Sequence, residues 1–183
     1  MEERKSIEER KNVITVRGKQ AALLGPDLKV GDRAPDFKAL SCVTLIDQEP
    51  KQVSLRDFAG KICLISVTPS LDTPVCDLQA RRLNQEAATF PGNVVVLNIS
   101  MDLPYAARRF CATAGIEKVE VLSDHKDASF GMAYGVLIKE LRLLTRSIFV
   151  IDQNGIIRYK EIVPDTTRHP DYDRAIDAVR SLL

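Results

Sequence analysis

The stretch Ile62-Cys63-Leu64-Ile65-Ser66-Val67-Thr68-Pro69-Ser70-Leu71-Asp72-Thr73-Pro74-Val75-Cys76 decides the reading of this chain. Ile62 to Val67 form a near-continuous apolar run of strand length, the pattern of a strand buried on both faces in a parallel sheet. The end of the stretch opens a helix. Thr73 suits an N-cap and Pro74 the first helical position, where a missing N–H costs nothing. On that register Cys76 is the third helical residue, close to unpaired backbone N–H groups and the positive end of the helix dipole. Both favour thiolate over thiol, and the thiolate is the nucleophile. In open α/β sheets ligands bind off the carboxyl ends of the strands, where this junction lies. Taken alone, the pattern equally fits a half-buried cysteine at a helix start.

Working outward, Val94–Ile99 and Val119–Leu122 repeat the buried-strand character, and Ile148–Ile151 and Ile156–Ile162 flank Gln153-Asn154-Gly155, a hairpin signal. Helical patterns lie between them at Pro74–Ala88, Pro104–Ala114 (with Gly115 just past its end), Asp127–Tyr134 and Pro170–Leu183. The order β-α-β-α-β-α-β-β-α gives an α/β fold: a mixed central sheet with helices on its faces. Upstream, Val13–Val16 and Ala21–Leu24 around Gly18-Lys19 predict an N-terminal β-hairpin. Phe37–Ile46 reads as a strand, and Val53-Ser54-Leu55 leads into a helical turn ending near Gly60.

The chain has 183 residues, the length of one domain. Residues 1–12, with Glu2, Glu3, Glu8 and Glu9 against Arg4, Lys5, Arg10 and Lys11, read as a charged extension, disordered or helical. Residues 13–183 read as the domain. No apolar run behind a basic start marks a signal peptide, and none reaches membrane-spanning length, so the expectation is a cytoplasmic protein without a membrane partner. Lys and Arg total 26 against 25 Asp and Glu, and this near-neutral balance without a basic block argues against nucleic acid as partner. Four cysteines are too sparse for a disulfide scaffold, and the two histidines lie far from zinc-finger spacing. No Gly-rich nucleotide loop appears. Cys42 and Cys63 read as strand residues that fill space, and Phe37, Leu45, Phe58, Leu97, Phe110 and Phe149 as core candidates.

Pro69-x-x-x-Thr73-x-x-Cys76, and more specifically Pro69-Ser70-Leu71-Asp72-Thr73-Pro74-Val75-Cys76, resembles the active-site motif of the peroxiredoxins in their thiol peroxidase, or atypical two-cysteine, branch. Val30-Gly31-Asp32-Arg33-Ala34-Pro35-Asp36-Phe37, Ser100-Met101-Asp102-Leu103-Pro104-Tyr105-Ala106 through Arg109-Phe110-Cys111, Ala133-Tyr134-Gly135-Val136 and Pro170-Asp171-Tyr172 resemble further segments of that family. The resemblance covers roughly 13–183. Thr68 and Met101 depart from it, where an apolar and a small residue are expected, and both are expected at the pocket edge.

The resemblance implies a thioredoxin-like fold and a thiol-dependent peroxidase that reduces hydrogen peroxide and organic hydroperoxides. It assigns Cys76 as the peroxidatic cysteine, oxidised to a sulfenic acid, and Cys111 as the resolving cysteine, which closes an intramolecular disulfide. Helical unwinding at one or both cysteines is expected for that bond to form. Thr73 supplies a hydroxyl, to the helix start and to the sulfur or a bound oxygen. Pro69 shields the pocket without offering an amide. The arginine that opens a late strand is matched by Arg146, with Arg81, Arg82, Arg108 and Arg109 as rivals. Thioredoxin is the implied reductant and a homodimer the implied assembly; no metal, flavin or haem is needed. A redox sensor or chaperone using the same Cys76–Cys111 switch is the alternative. A dithiol reductase is disfavoured, because the chain has no C-x-x-C.

Overall fold

The structure, a computed structural model, describes residues 7–46 and 49–183, with the side chains of residues 44–46 left aside. Leu45 of the expected core therefore lies outside the described side chains. The elements run β1 (Glu9–Val16), β2 (Lys19–Leu24), β3 (Lys38–Ile46), β4 (Glu49–Ser54), a 3-10 turn (Leu55–Phe58), β5 (Ile62–Val67), α1 (Pro74–Ala87), β6 (Val94–Ser100), α2 (Pro104–Ala114), β7 (Glu120–Ser123), α3 (Ser129–Ala133), β8 (Leu137–Ile138), β9 (Ser147–Ile151), β10 (Ile157–Ile162) and α4 (Tyr172–Arg180).

Seven strands form the main sheet in the order β10-β9-β5-β6-β7-β3-β4. The β5-β6 and β6-β7 pairs are parallel, and β9 runs antiparallel to β5. The apolar run of β5 is buried throughout, and its side chains alternate between two cores. Cys63, Ile65 and Val67 enter one core with Phe37, Phe130, Tyr134 and Phe149. Ile62 and Leu64 enter the other with Ala80, Leu83, Ala107, Cys111 and Val179, from α1, α2 and α4. Cys42 and Cys63 are buried in these cores, as the sequence suggests. In the first core Phe130 stacks on Tyr134 at 4.3 Å between ring centroids, and Tyr134 Oη donates to the Pro35 carbonyl at 2.9 Å.

Two strands escape the sequence reading. Glu49–Ser54 is polar and contains Pro50, a residue tolerated in sheets at edges, and β4 is an edge strand. Leu137–Ile138 is too short to carry a period; it completes a three-stranded sheet with β1 and β2.

The charged extension is also shorter than expected. Pairing of β1 with β2 begins at Glu9↔Leu24, so residues 9–12 belong to the predicted hairpin. The cause is Arg10, whose guanidinium donates to the Gly25 carbonyl at 3.1 Å, to Asp27 Oδ1 at 3.1 Å and to the Gly135 carbonyl. Gly135, at φ +64°, has no room for a Cβ, which would run into the Pro26 carbonyl and Arg10. The hairpin is thereby fastened to the turn after α3.

Candidate active site

Both helix starts of interest lie at one end of the sheet. β5 and β6 are parallel with Val67 beside Ile99, so α1 and α2, which follow them, begin at the same edge. The antiparallel register Val67↔Ser147 brings the start of β9 to that edge as well. Arg146 precedes Ser147, and this places it against Cys76 across a sequence separation of 70 residues.

Cys76 is the third residue of α1 and fully buried. Arg146, only 2 % exposed, donates from Nη2 to Cys76 Sγ at 3.3 Å. Its Nε and Nη2 donate to the Thr166 carbonyl at 3.1 and 3.0 Å, and its Nη1 donates to Gln79 Oε1 at 2.6 Å. Gln79 in turn donates from Nε2 to Ser66 Oγ at 2.7 Å. A buried guanidinium is costly unless its donors are used. Here every nitrogen has an acceptor, which locks the fork in one orientation toward the sulfur.

Gln79 and Ser66 escape the sequence reading, although Ser66 is the polar interruption of the β5 run. Gln79 lies one residue short of a helical turn beyond Cys76, on the same buried side. The rival arginines are exposed on helices: Arg81 pairs with Asp77, and Arg82 with Glu86 and Asp173. Tyr172 also belongs to this neighbourhood. Burial pushes its hydroxyl up to about 12, while the positive charge of Arg146 pulls it the other way.

Thr73 and Pro69 are half-buried at the entrance. The expected cap is not made: Thr73 Oγ1 donates to the Ser70 carbonyl at 3.2 Å and accepts no bond from the helix amides. α2 also begins without a side-chain cap, since Leu103 stands at its N-cap. A cap stabilises a helix start by about 1 kcal/mol, so the first turns of both helices are easier to open than their bodies. Pro69, Thr73, Val75 and Arg146 line a cavity of about 460 Å³, closed on the other side by Val16 and Arg17 of the hairpin and by Ile138, Leu141 and Leu143. Its wall is mostly apolar, with the cationic group at its floor.

Thr68 and Met101 do not line this cavity. Thr68 is wholly buried and donates to Asn98 Oδ1 at 3.3 Å on the neighbouring strand, which explains a hydroxyl in an apolar setting. Met101 packs against the core with Phe37 and Tyr134.

Cys111 is buried on α2 in the same core as Leu71, Ala80 and Leu83, which flank Cys76 along the chain. α1 and α2 are stitched further along by Arg81 Nη1 donating to the Ala114 carbonyl at 3.0 Å and Asn84 Nδ2 to the Gly115 carbonyl at 3.2 Å. Both cysteines are free thiols. Burial pushes the Cys111 thiol up to about 11. Among the described residues no cluster of His, Cys, Asp or Glu could hold a metal ion, and no helix is long and apolar enough to cross a membrane.

Residues 29–176 match the family model described as Redoxin. A thiol peroxidase of Halalkalibacterium halodurans is 51% identical over 170 residues, covering 93% of this chain and 98% of that protein. The thiol peroxidase of Bacillus subtilis matches at 51% identity with the same coverage. Among solved structures, a peroxiredoxin-like protein from Aquifex aeolicus superposes with a TM-score of 0.82 at 34% identity, covering 97% of this chain and 99% of that one. With this likeness over nearly the whole chain, a thioredoxin-like sheet and a buried cysteine at a helix start against the arginine that lines the cavity, the protein belongs to the Redoxin family and is a peroxiredoxin-type thiol peroxidase.

Proposed function

We propose that Cys76 is the peroxidatic cysteine and Cys111 the resolving one, in a cycle that reduces hydrogen peroxide and organic hydroperoxides. The observation that carries this reading is the 3.3 Å approach of Arg146 Nη2 to Cys76 Sγ, Arg146 itself lining the cavity. The Cys76 thiolate attacks the distal oxygen of the hydroperoxide. The O–O bond breaks, sulfur becomes a sulfenic acid, and the leaving oxygen takes a proton to depart as water or an alcohol. The negative charge that develops on the departing oxygen needs donors already aimed at it. In this reading the Arg146 fork and the amides at the start of α1 supply them. Pro69 closes one side without a competing N–H. The apolar wall of Val16, Val75, Ile138, Leu141 and Leu143 suits the carbon chain of an organic hydroperoxide.

The Cys111 thiol then condenses with the sulfenic acid, releasing water and forming the disulfide. Cys76 and Cys111 lie within α1 and α2, and in this reading a helical segment opens to bring their Cα atoms within the roughly 7 Å that a disulfide needs. The uncapped first turn of α1, where Cys76 is the third residue, supplies it. Exchange with a dithiol of the thioredoxin class returns both thiols. The family resemblance supports thioredoxin as the donor and a homodimer as the working assembly, and a reducing compartment such as the cytoplasm is where that donor acts.

The test is an NADPH-coupled assay with thioredoxin and its reductase. The expected result is sustained NADPH consumption on adding hydroperoxide, abolished in Cys76→Ser and stalled after one turnover in Cys111→Ser. Stoichiometric oxidation of the wild type without turnover would favour a redox sensor or chaperone instead.

A further inference from the structure

The two loops at the active end of the sheet are sewn together by one carboxylate. Asp102 sits just before the start of α2, where an acidic side chain ordinarily serves its own helix. It does not do so here. Its Oδ1 accepts from Ser70 Oγ at 2.8 Å, and its Oδ2 accepts from the Leu71 backbone N–H at 2.8 Å and from Ser100 Oγ at 2.8 Å. Ser70 and Leu71 belong to the loop that carries Pro69 and Thr73 into α1. The Asp102 carbonyl is itself fixed from behind by the Ser123 hydroxyl, which lies 2.9 Å from His125 Nδ1. A charged acceptor on neutral donors makes stronger bonds than a neutral one. The loop before Cys76 is therefore held mainly by a residue belonging to the segment that carries Cys111.

We propose that Asp102 is a positioning residue for the peroxidase reaction. It holds the Pro69–Thr73 loop in the arrangement that presents Cys76 to Arg146, and its release permits the helix opening that precedes disulfide formation. This inference rests on the proposed roles of Cys76 and Cys111. It predicts that one substitution moves two steps in opposite directions. Loss of the carboxylate slows attack on peroxide, because Pro69, Thr73 and the start of α1 lose their fixed places. It speeds resolution, because the contact that must break before the cysteines meet is already gone. A residue that only stabilised the fold would not split the steps in this way.

The experiment mixes the reduced full-length protein with hydrogen peroxide, quenches with acid and alkylating agent over milliseconds to seconds, and follows Cys76 oxidation and the Cys76–Cys111 disulfide by mass. Asp102→Asn keeps the shape but has only one acceptor oxygen for three donors. It is expected to lower the second-order rate of Cys76 oxidation at least about tenfold and to raise the first-order rate of disulfide formation severalfold. Ser70→Ala, which removes one of the three bonds to the carboxylate and the acceptor of the Asp72 N–H but leaves the Leu71 contact, is expected to move both rates the same way by less, and keeps the test alive if Asp102→Asn does not fold. Unchanged oxidation, or both steps slowing together, would overturn the proposal. A wild-type protein that oxidises without joining Cys76 to Cys111 would instead overturn the roles of the cysteines, leaving the two failures distinguishable.

Discussion

Arg146 Nη2 lies 3.3 Å from Cys76 Sγ, with the same guanidinium tied to Gln79 and to the Thr166 carbonyl. The contact joins the start of a helix to the start of a strand that runs antiparallel beside the preceding strand. Its proposed worth to the peroxide reaction depends on both charge and shape.

Arg146→Ala is therefore expected to lower the second-order rate of Cys76 oxidation about a hundredfold or more, the usual cost of removing a donor aimed at developing negative charge. Arg146→Lys keeps the charge and loses the fork, since one ammonium cannot reach Gln79, Thr166 and the sulfur at once. Its rate should fall between the two. Competition against a peroxidase of known rate checks both; an unaltered rate in Arg146→Lys would mean that charge alone suffices.

Gln79→Met tests the support beneath that fork. The change keeps bulk but leaves Arg146 Nη1 without its acceptor and Ser66 Oγ without its donor, both in a buried setting. A loss of about 1–3 kcal/mol in stability is expected, together with a slower reaction with peroxide. Urea unfolding followed by circular dichroism measures the first, and quenched mass analysis the second.

The buried thiols predict an alkaline weakness. Burial raises Cys111 from 9.0 to about 11 and Cys63 from 9.0 to about 12, and pushes Cys42 up as well. A thiol whose folded value is raised contributes its stability fully below the unfolded value. That contribution is lost as pH rises from the unfolded value toward the folded one, since only the unfolded chain can then release the proton. Stability should decline above pH 9, at about 1.4 kcal/mol per pH unit for each such thiol. Unfolding midpoints measured from pH 7 to 10.5 should show a shallower decline in Cys63→Ala. The same burial predicts slow alkylation of Cys111 in the reduced native protein, accelerated when the helix is opened with sub-denaturing guanidinium.

Gly135→Ala separates the hairpin from the chemistry. A Cβ at Gly135 would collide with the Pro26 carbonyl and with the Arg10 guanidinium that fastens β1 to the turn after α3. The backbone also lies at φ +64°, a conformation costly for alanine. A destabilisation of about 2 kcal/mol or more is expected. Val16 and Arg17 form one side of the cavity, so the efficiency of the variant should fall further for a bulky organic hydroperoxide than for hydrogen peroxide. Comparing kcat/KM for the two substrates checks this; equal losses would place substrate recognition elsewhere.

Much of this protein was legible in its residues because the signals are local. The run Ile62–Val67, the Thr73-Pro74 helix start, the Asn154-Gly155 turn and Gly115 behind α2 each act through near neighbours, and each element formed where its pattern placed it. The motif around Cys76 and the second cysteine at Cys111 identified the chemistry by resemblance alone. β4 and β8 were not legible, since an edge strand with a proline and a two-residue strand depend on what lies beside them. Nor were residues 9–12, whose charges read as solvated until Arg10 met the carbonyls of Gly25 and Gly135. Thr73 had the right identity for a cap, yet its hydroxyl is turned to the Ser70 carbonyl and caps nothing.

The sequence by itself determined that a cysteine stands at a helix start, because such a start is set within a few residues, and the resemblance of the motif singled that sulfur out. Only the tertiary structure decided what surrounds it. Arg146 prevails over four other arginines because the β5-β9 register sets it beside α1. Gln79, Ser66 and Thr166 hold it from elements that meet only after the sheet has formed. Contacts of that kind depend on strand order and register, which no short stretch of residues specifies.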